Sequence, residues 1–287
     1  MKYKYIILLL IIFILYFLFY HNESYEIQKI NYDIIISINV HEKVNFLLKQ
    51  LDNIKENVNC NYAIVLNCND YMYNECKNIS LPNNVYINHE IINKQHDHGS
   101  LTRGIYSNIT YSLELFTFKY FIVSSSRNFF DNNMTLNDLD KVIKIGPNYD
   151  VNINFNDIEY IDWHWDTFKQ TLLAKYFLDK KQKLYSSAHE GLMFTYDGCT
   201  KIVDFLENNT IIKDDLFNFP KCVEEFALQT IVVNMGESFY YIGNGCCSEE
   251  KLLPNMDTNY KFLYKVPREG ISFFGNFMKC KTKEELI

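Results

Sequence analysis

The chain has 287 residues and a formal net charge of -7, with neither a basic block nor an acidic tail, so nucleic acid is not expected as a partner. Ile, Asn, Tyr, Phe and Lys are abundant while Gly, Pro and Ala are few, a bias that reads as the codon usage of an AT-rich genome rather than as function. Behind the first apolar segment about 265 residues remain, enough for one large domain or two small ones with a sizeable core.

In chain order, Tyr5 to Tyr20 comes first, a run without charge. Its sixteen residues rise about 24 Å as a helix, short for an average bilayer but workable in a thin one. Lys2 and Lys4 precede it, and His21, Glu23 and Glu26 follow, so the positive-inside tendency predicts a cytosolic tail over 1–4 and a signal anchor over 5–20. A short stem over 21–31 and a lumenal domain over 32–287 complete the expected organisation. A cleaved signal peptide is the competing reading, but no small-x-small site follows the run. The expectation is therefore a single-pass type II membrane protein facing the Golgi or ER lumen, or sitting in host membranes or a virion if the source is viral.

Asp33 to Val40 is a continuous apolar run of strand length, and the spacing of Val44, Leu47, Leu48, Leu51 and Ile54 predicts a helix. Tyr62 to Leu66 is a second buried-type strand ending in the polar turn N-C-N-D, which completes a β-α-β unit. A short strand at 85–88, a helix over 100–116 with Ser100 as N-cap, and a strand at 119–124 follow. Further on, helices are predicted over 137–145, 166–180, 199–207 and 224–233, with a strand at 191–195 and short strands from Phe239 onward. No repeat or low-complexity linker divides this α/β unit.

The eight cysteines are Cys60, Cys68, Cys76, Cys199, Cys222, Cys246, Cys247 and Cys280. Without a C-x-x-C pair they favour one or two disulfides of a lumenal domain over a zinc site, with connectivity unreadable. Sequons stand at Asn22, Asn78, Asn108, Asn133 and Asn208, a number that an Asn-rich chain also produces by chance.

Ligands of parallel α/β sheets bind at the carboxyl ends of strands, which directs attention to the turns at 39–43, 67–70 and 124–128. No Gly-rich phosphate loop is present, which argues against dinucleotide and P-loop enzymes. Five segments follow one another in a telling order: I-S-I-N-V-H-E-K, N-Y-A-I-V-L-N-C-N-D, N-N-V-Y-I-N-H-E, H-G-S-L-T-R-G-I-Y-S-N-I and K-Y-F-I-V-S-S-S-R-N-F-F. With S-S-A-H-E-G-L-M-F-T at 186–195 and E-E-F-A-L-Q-T-I at 224–231, the chain after the anchor resembles the core-2/I-branching type β-N-acetylglucosaminyltransferases and their xylosyltransferase relatives.

The resemblance implies a GT-A type fold, a Rossmann-like mixed sheet flanked by helices, behind an N-terminal transmembrane helix. It also implies inverting transfer of GlcNAc, or of xylose, from a UDP-sugar to a glycan or glycoprotein hydroxyl, without a metal. Inverting transfer needs a carboxylate base beside the acceptor hydroxyl, and Glu225 matches that position. Glu224 and Glu225 equally suit the N-terminus of the predicted helix through its dipole. The diphosphate needs positive charge, and Arg268 in V-P-R-E-G matches the family's arginine-bearing segment. The turn S-S-S-R-N carries no Asp-x-Asp pair for a metal.

His41, Asn67 and Asp70 fall on the nucleoside side, where cap or turn roles are the ordinary alternative. Trp163 and Trp165, together with His189 and Glu190, fall on the acceptor side; packing is the ordinary role for the tryptophans. The chain ends before a second family lysine is reached, leaving Lys279, Lys281 or Lys283 as substitutes. This departure motivates the alternative, a catalytically inactive membrane-anchored relative that binds a glycan or a partner.

Overall fold

The structure, a computed structural model, describes residues 28–41, 43–95, 98–130, 133–142, 144, 165–185, 187, 189–244 and 262–265. The first strands and helices are β1 (Ile30–Asn31), β2 (Ile34–Val40), α1 (Val44–Asn57), β3 (Val58–Asn59), β4 (Tyr62–Cys68), α2 (Asp70–Lys77) and β5 (Val85–Ile87). The middle of the chain supplies α3 (Ser100–Leu115), β6 (Phe116–Thr117), β7 (Tyr120–Ser125), β8 (Asn128–Phe130), β9 (Met134–Thr135), α4 (Leu136–Leu139), α5 (Trp165–Phe168) and α6 (Leu172–Asp179). The last elements are β10 (Leu192–Thr195), α7 (Tyr196–Asn208), α8 (Thr210–Phe217), α9 (Ala227–Asn234), β11 (Phe239–Tyr241), β12 (Gly243–Asn244) and β13 (Leu263–Lys265).

A six-stranded sheet in the order β11-β10-β7-β2-β4-β5 forms the centre. β5, β4, β2 and β7 are parallel, whereas β10 runs antiparallel to both of its neighbours. All seven residues of β2 are buried, as required of a central strand covered on both faces. On one face α3 and α7 pack Ile105, Ile109, Ile202 and Phe205 into a core with Val65, Phe121 and Val123. On the other, α1 contributes Leu47, Leu51 and Ile54 to a core with Ile36, Ile64 and Leu66. Asn108 pins α3 to the sheet: its amide donates to Ser37 Oγ at 2.9 Å and to the Val65 carbonyl at 3.1 Å, and its oxygen accepts from Asn88 at 3.0 Å. A buried side chain held in this way carries no glycan, so the sequon at Asn108 is silent in the folded protein, whereas Asn78, Asn133 and Asn208 are exposed.

The expectation of a GT-A type fold behind a transmembrane helix requires correction. What is found is a mixed α/β arrangement around a mixed sheet, and among the described residues no helix is long and apolar enough to cross a membrane. The described helices are amphipathic elements of the two cores: even the 16-residue α3 places Ile105 and Ile109 inward and Arg103 and Glu114 elsewhere on its surface. The expected anchor at 5–20 lies outside the described residues.

Local boundaries differ as well. The 67–70 turn leads directly into α2, with Asn69 as N-cap accepting from the Met72 amide. Gly99, not Ser100, precedes α3, and the Ser100 hydroxyl accepts from the Gln95 amide instead. The helix expected over 166–180 splits at Thr171, whose side chain caps α6, and the one expected over 137–145 is described only at α4. Of the cysteines expected to form disulfides, Cys60, Cys68, Cys76 and Cys199 are free thiols; Cys246, Cys247 and Cys280 lie outside the described residues.

Candidate functional site

Two loops meet where β10 enters the sheet beside the carboxyl end of β7. The Gly191 amide donates to the Val123 carbonyl and its own carbonyl accepts from Ile242, each at 2.9 Å. Gly191 has φ +95°, and a Cβ there would stand 2.4 Å from the Gly243 nitrogen, so only glycine permits this approach. His189 and Glu190 are thereby delivered just before β10, beside the carboxyl end of β7.

The second loop precedes α9. Gln229 zips the two together, donating to the Ser187 hydroxyl at 3.1 Å and to the Ser187 and Glu224 carbonyls at 3.3 Å. The Ser187 amide donates to the Glu225 carbonyl at 3.0 Å, and Thr230 exchanges hydrogen bonds with both backbone groups of Tyr185. Phe226 stacks on Phe168 with ring centroids 4.9 Å apart, anchoring the turn that carries the glutamates. The helix expected from Glu224 starts three residues later at Ala227, which leaves both glutamates in the turn where they can face His189.

His189 stands among three carboxylates. Nε2 lies 3.2 Å from Glu190, while Nδ1 lies 3.8 Å from Glu225 and 4.0 Å from Glu224. Burial alone would lower the imidazolium pKa, but Glu190, Glu225 and Glu224 together raise it to about 10. Burial pushes the Glu224 carboxyl up to about 7 despite the opposing pull of His189. The Glu224 side chain is 2% exposed and that of Glu225 24%, so only the second offers a carboxylate to a substrate. Glu224 Oε2, Gln229 Oε1 and His189 Nδ1 are buried without a hydrogen-bond partner. Among the described residues no group of three or more His, Cys, Asp or Glu side chains is arranged to hold a metal ion.

His41 follows β2, Asn67 is the penultimate residue of β4 and Asp70 comes just after that strand, all at the same end of the parallel strands. His41 is exposed, with Nδ1 3.2 Å from the Asn39 carbonyl and 3.2 Å from the Ser126 hydroxyl. Asn67 is buried, and its amide donates to the Glu90 carbonyl at 3.0 Å. Asp70 opens α2 and accepts from the Asn93 side chain at 2.6 Å. Asn67 and Asp70 thus brace the loops of this end, the turn role anticipated for such residues.

Lys94 was not anticipated. Its ammonium donates to the Asn67 carbonyl at 2.9 Å beneath this turn, and burial lowers its pKa to about 8 against the upward pull of Cys68 and Glu90. No pattern in the loop around it signals this. Gln229 was equally hidden, whereas Glu224 was visible as half of an acidic pair.

The structure therefore brings His189, Glu190 and Glu225 together and adds Glu224. Trp163 and Arg268, along with Lys279, Lys281 and Lys283, lie outside the described residues; Trp165 opens α5, but its side chain is likewise outside them. A separate cleft of about 510 Å³ between α3 and α8 pairs Arg103 with Glu90 at 2.8 Å and Lys213 with Glu207 at 2.9 Å within its own wall, which also carries Asp214. No protein-family model matches the chain, and no curated protein is significantly similar to it.

Proposed function

We propose that the chain is an inverting glycosyltransferase that moves a sugar, GlcNAc or xylose, from a UDP-sugar to a glycan or glycoprotein hydroxyl, with Glu225 as the general base. The observation that carries this reading is the partly exposed Glu225 carboxylate held beside His189 at the carboxyl edge of the parallel strands. The order of motifs along the chain supports it.

In the reaction, Glu225 takes the proton of the acceptor hydroxyl as its oxygen bonds to the sugar's anomeric carbon. The bond to the diphosphate breaks on the opposite face, and UDP leaves with the electron pair. His189, positively charged among its carboxylates, keeps the Glu225 oxygen directed and offsets the negative charge of its neighbours. The glycan or glycoprotein approaches from the Glu225 side, the UDP-sugar from the turns after β2 and β4. No resident metal is assigned to the reaction.

UDP release by the full chain across a panel of UDP-sugars tests this. Glu225→Gln is expected to lower kcat by about 10²- to 10⁴-fold with a small change in KM. Undiminished turnover by that variant overturns the base, and turnover abolished by a chelator overturns the metal-free reading. Calorimetry that finds no UDP binding but measurable glycan binding would favour the inactive module instead.

A further inference from the structure

We infer that Cys68 and Cys76 are a built cross-linking site, two thiols placed to join as a disulfide that staples α2 to the carboxyl end of β4. Cys68 is the last residue of β4 and Cys76 the penultimate residue of α2. The Asn69 cap turns the chain back so that α2 lies along the strand it has just left, and the two thiols hydrogen-bond to each other. Both are buried, at 0% and 1% exposure, in one apolar cluster with Leu66 and Met72.

Among the described residues, Cys60 and Cys199 are both placed away from this pair. Cys60 lies beyond the opposite end of β4, a strand that itself rises about 20 Å from Tyr62 to Cys68. Cys199 belongs to the core on the other face of the sheet.

The step balances with an oxidised low-molecular-weight disulfide such as oxidised glutathione. The thiolate of one of the two cysteines attacks one of its sulfurs and releases one thiol; the other cysteine then attacks the protein sulfur of the mixed disulfide, losing its proton and releasing the second thiol. Two protein thiols are oxidised, and one glutathione disulfide is reduced to two thiols. Because both sulfurs are shielded in the folded protein, the cross-link forms before α2 has docked, during folding in an oxidising compartment.

The staple closes a short loop that contains Asn69 and Asp70 and follows directly on Asn67. On the reading of 67–70 as a donor-side turn, which rests on the proposed function, the cross-link fixes the shape of the donor site. The cross-link itself does not depend on that reading.

The test is oxidative refolding of the full chain in a glutathione redox buffer, followed by alkylation and peptide mapping. Cys60, Cys68 and Cys76 share one tryptic segment, 56–77, so a second cleavage after Glu75 is needed to separate Cys76 from the others. The expected result is a disulfide joining the Cys68 and Cys76 fragments with Cys60 alkylated. The thermal midpoint is expected about 5–10 °C above that of the reduced protein, a difference that vanishes in Cys76→Ser. Alkylation of both Cys68 and Cys76 after refolding, or a bond from Cys76 to any other cysteine, overturns the proposal; the map is made on the unaltered protein and survives a variant that fails to fold. Reduction is further expected to raise KM for the UDP-sugar at unchanged kcat. A mapped cross-link with unchanged KM removes the link to the donor turn, whereas absence of all UDP-sugar turnover overturns the enzymatic reading and leaves the cross-link standing.

Discussion

Glu224 and Glu225 are chemically identical neighbours that differ only in surroundings, and the difference assigns their roles. Glu224 is 2% exposed, its Oε2 has no partner, and its carboxyl is raised to about 7; Glu225 is 24% exposed and faces His189 Nδ1 at 3.8 Å. Under the proposed reaction Glu224 is therefore a positioning residue whose charge changes near neutrality, while Glu225 is the group that can touch an acceptor. For UDP release, the wild-type pH–rate profile is expected to inflect near pH 7. Glu224→Gln should lose that inflection while keeping kcat at pH 8 within about tenfold of wild type, because it removes a titration without removing the base. A Glu224→Gln profile that keeps the inflection would assign it to another group. The sequence offers both residues as an acidic pair in the first turn of a helix, and nothing in the pair itself distinguishes the buried member from the exposed one.

At the scale of elements, the site depends on how β10 is threaded into the sheet. Gly191 is the joint: φ is +95°, and the would-be Cβ meets Gly243 backbone at 2.4 and 2.5 Å. Gly191→Ala should lower unfolding stability by about 2–4 kcal/mol in urea titrations, from positive-φ strain plus displacement of the 243 segment. Turnover should fall with it, since His189 and Glu190 hang from this residue; a loss below about 0.5 kcal/mol would show that the backbone relaxes freely. The parallel strands were legible in advance because β2 and β4 are unbroken apolar runs, which only strands covered on both faces display. α2 was hidden because it is mostly polar and buries only Met72 and Cys76, leaving too little periodicity to read. The start of α9 was misplaced because the Phe226 and Ala227 amides turn back to the Val223 carbonyl, a tertiary choice that the local acidic pair does not encode. Likewise the zip from Gln229 to Ser187 joins residues distant in the chain, and no single-sequence pattern announces such a partner.

For the whole molecule, a buried His–carboxylate cluster inside the fold links site electrostatics to global stability, and the sign can be worked out. His189 is raised to about 10 from its ordinary 6.5, and Glu224 to about 7 from its ordinary 4.5. Both are raised, so the folded state binds more protons than the unfolded chain, from pH 4.5 to 7 through Glu224 and from 6.5 to 10 through His189. Their stabilisation is complete below the ordinary values and is lost as pH rises through the folded ones. Lys94 acts oppositely, because its value is lowered to about 8 from 10.5, so it favours folding increasingly as pH climbs from 8 towards 10.5 and masks His189 there. Asp140 and Glu207 are lowered carboxylates at half-exposed ion pairs, and their modest contribution is lost only at more acidic pH. The window in which the cluster dominates is therefore pH 5 to 7.5. There the urea midpoint of the wild-type protein is expected to fall as pH rises, and Glu224→Gln should flatten the part of the slope below pH 7. A midpoint that instead climbs across this window would mean that the three carboxylates do not hold His189 charged in solution, and with that the directed Glu225 oxygen would lose its support.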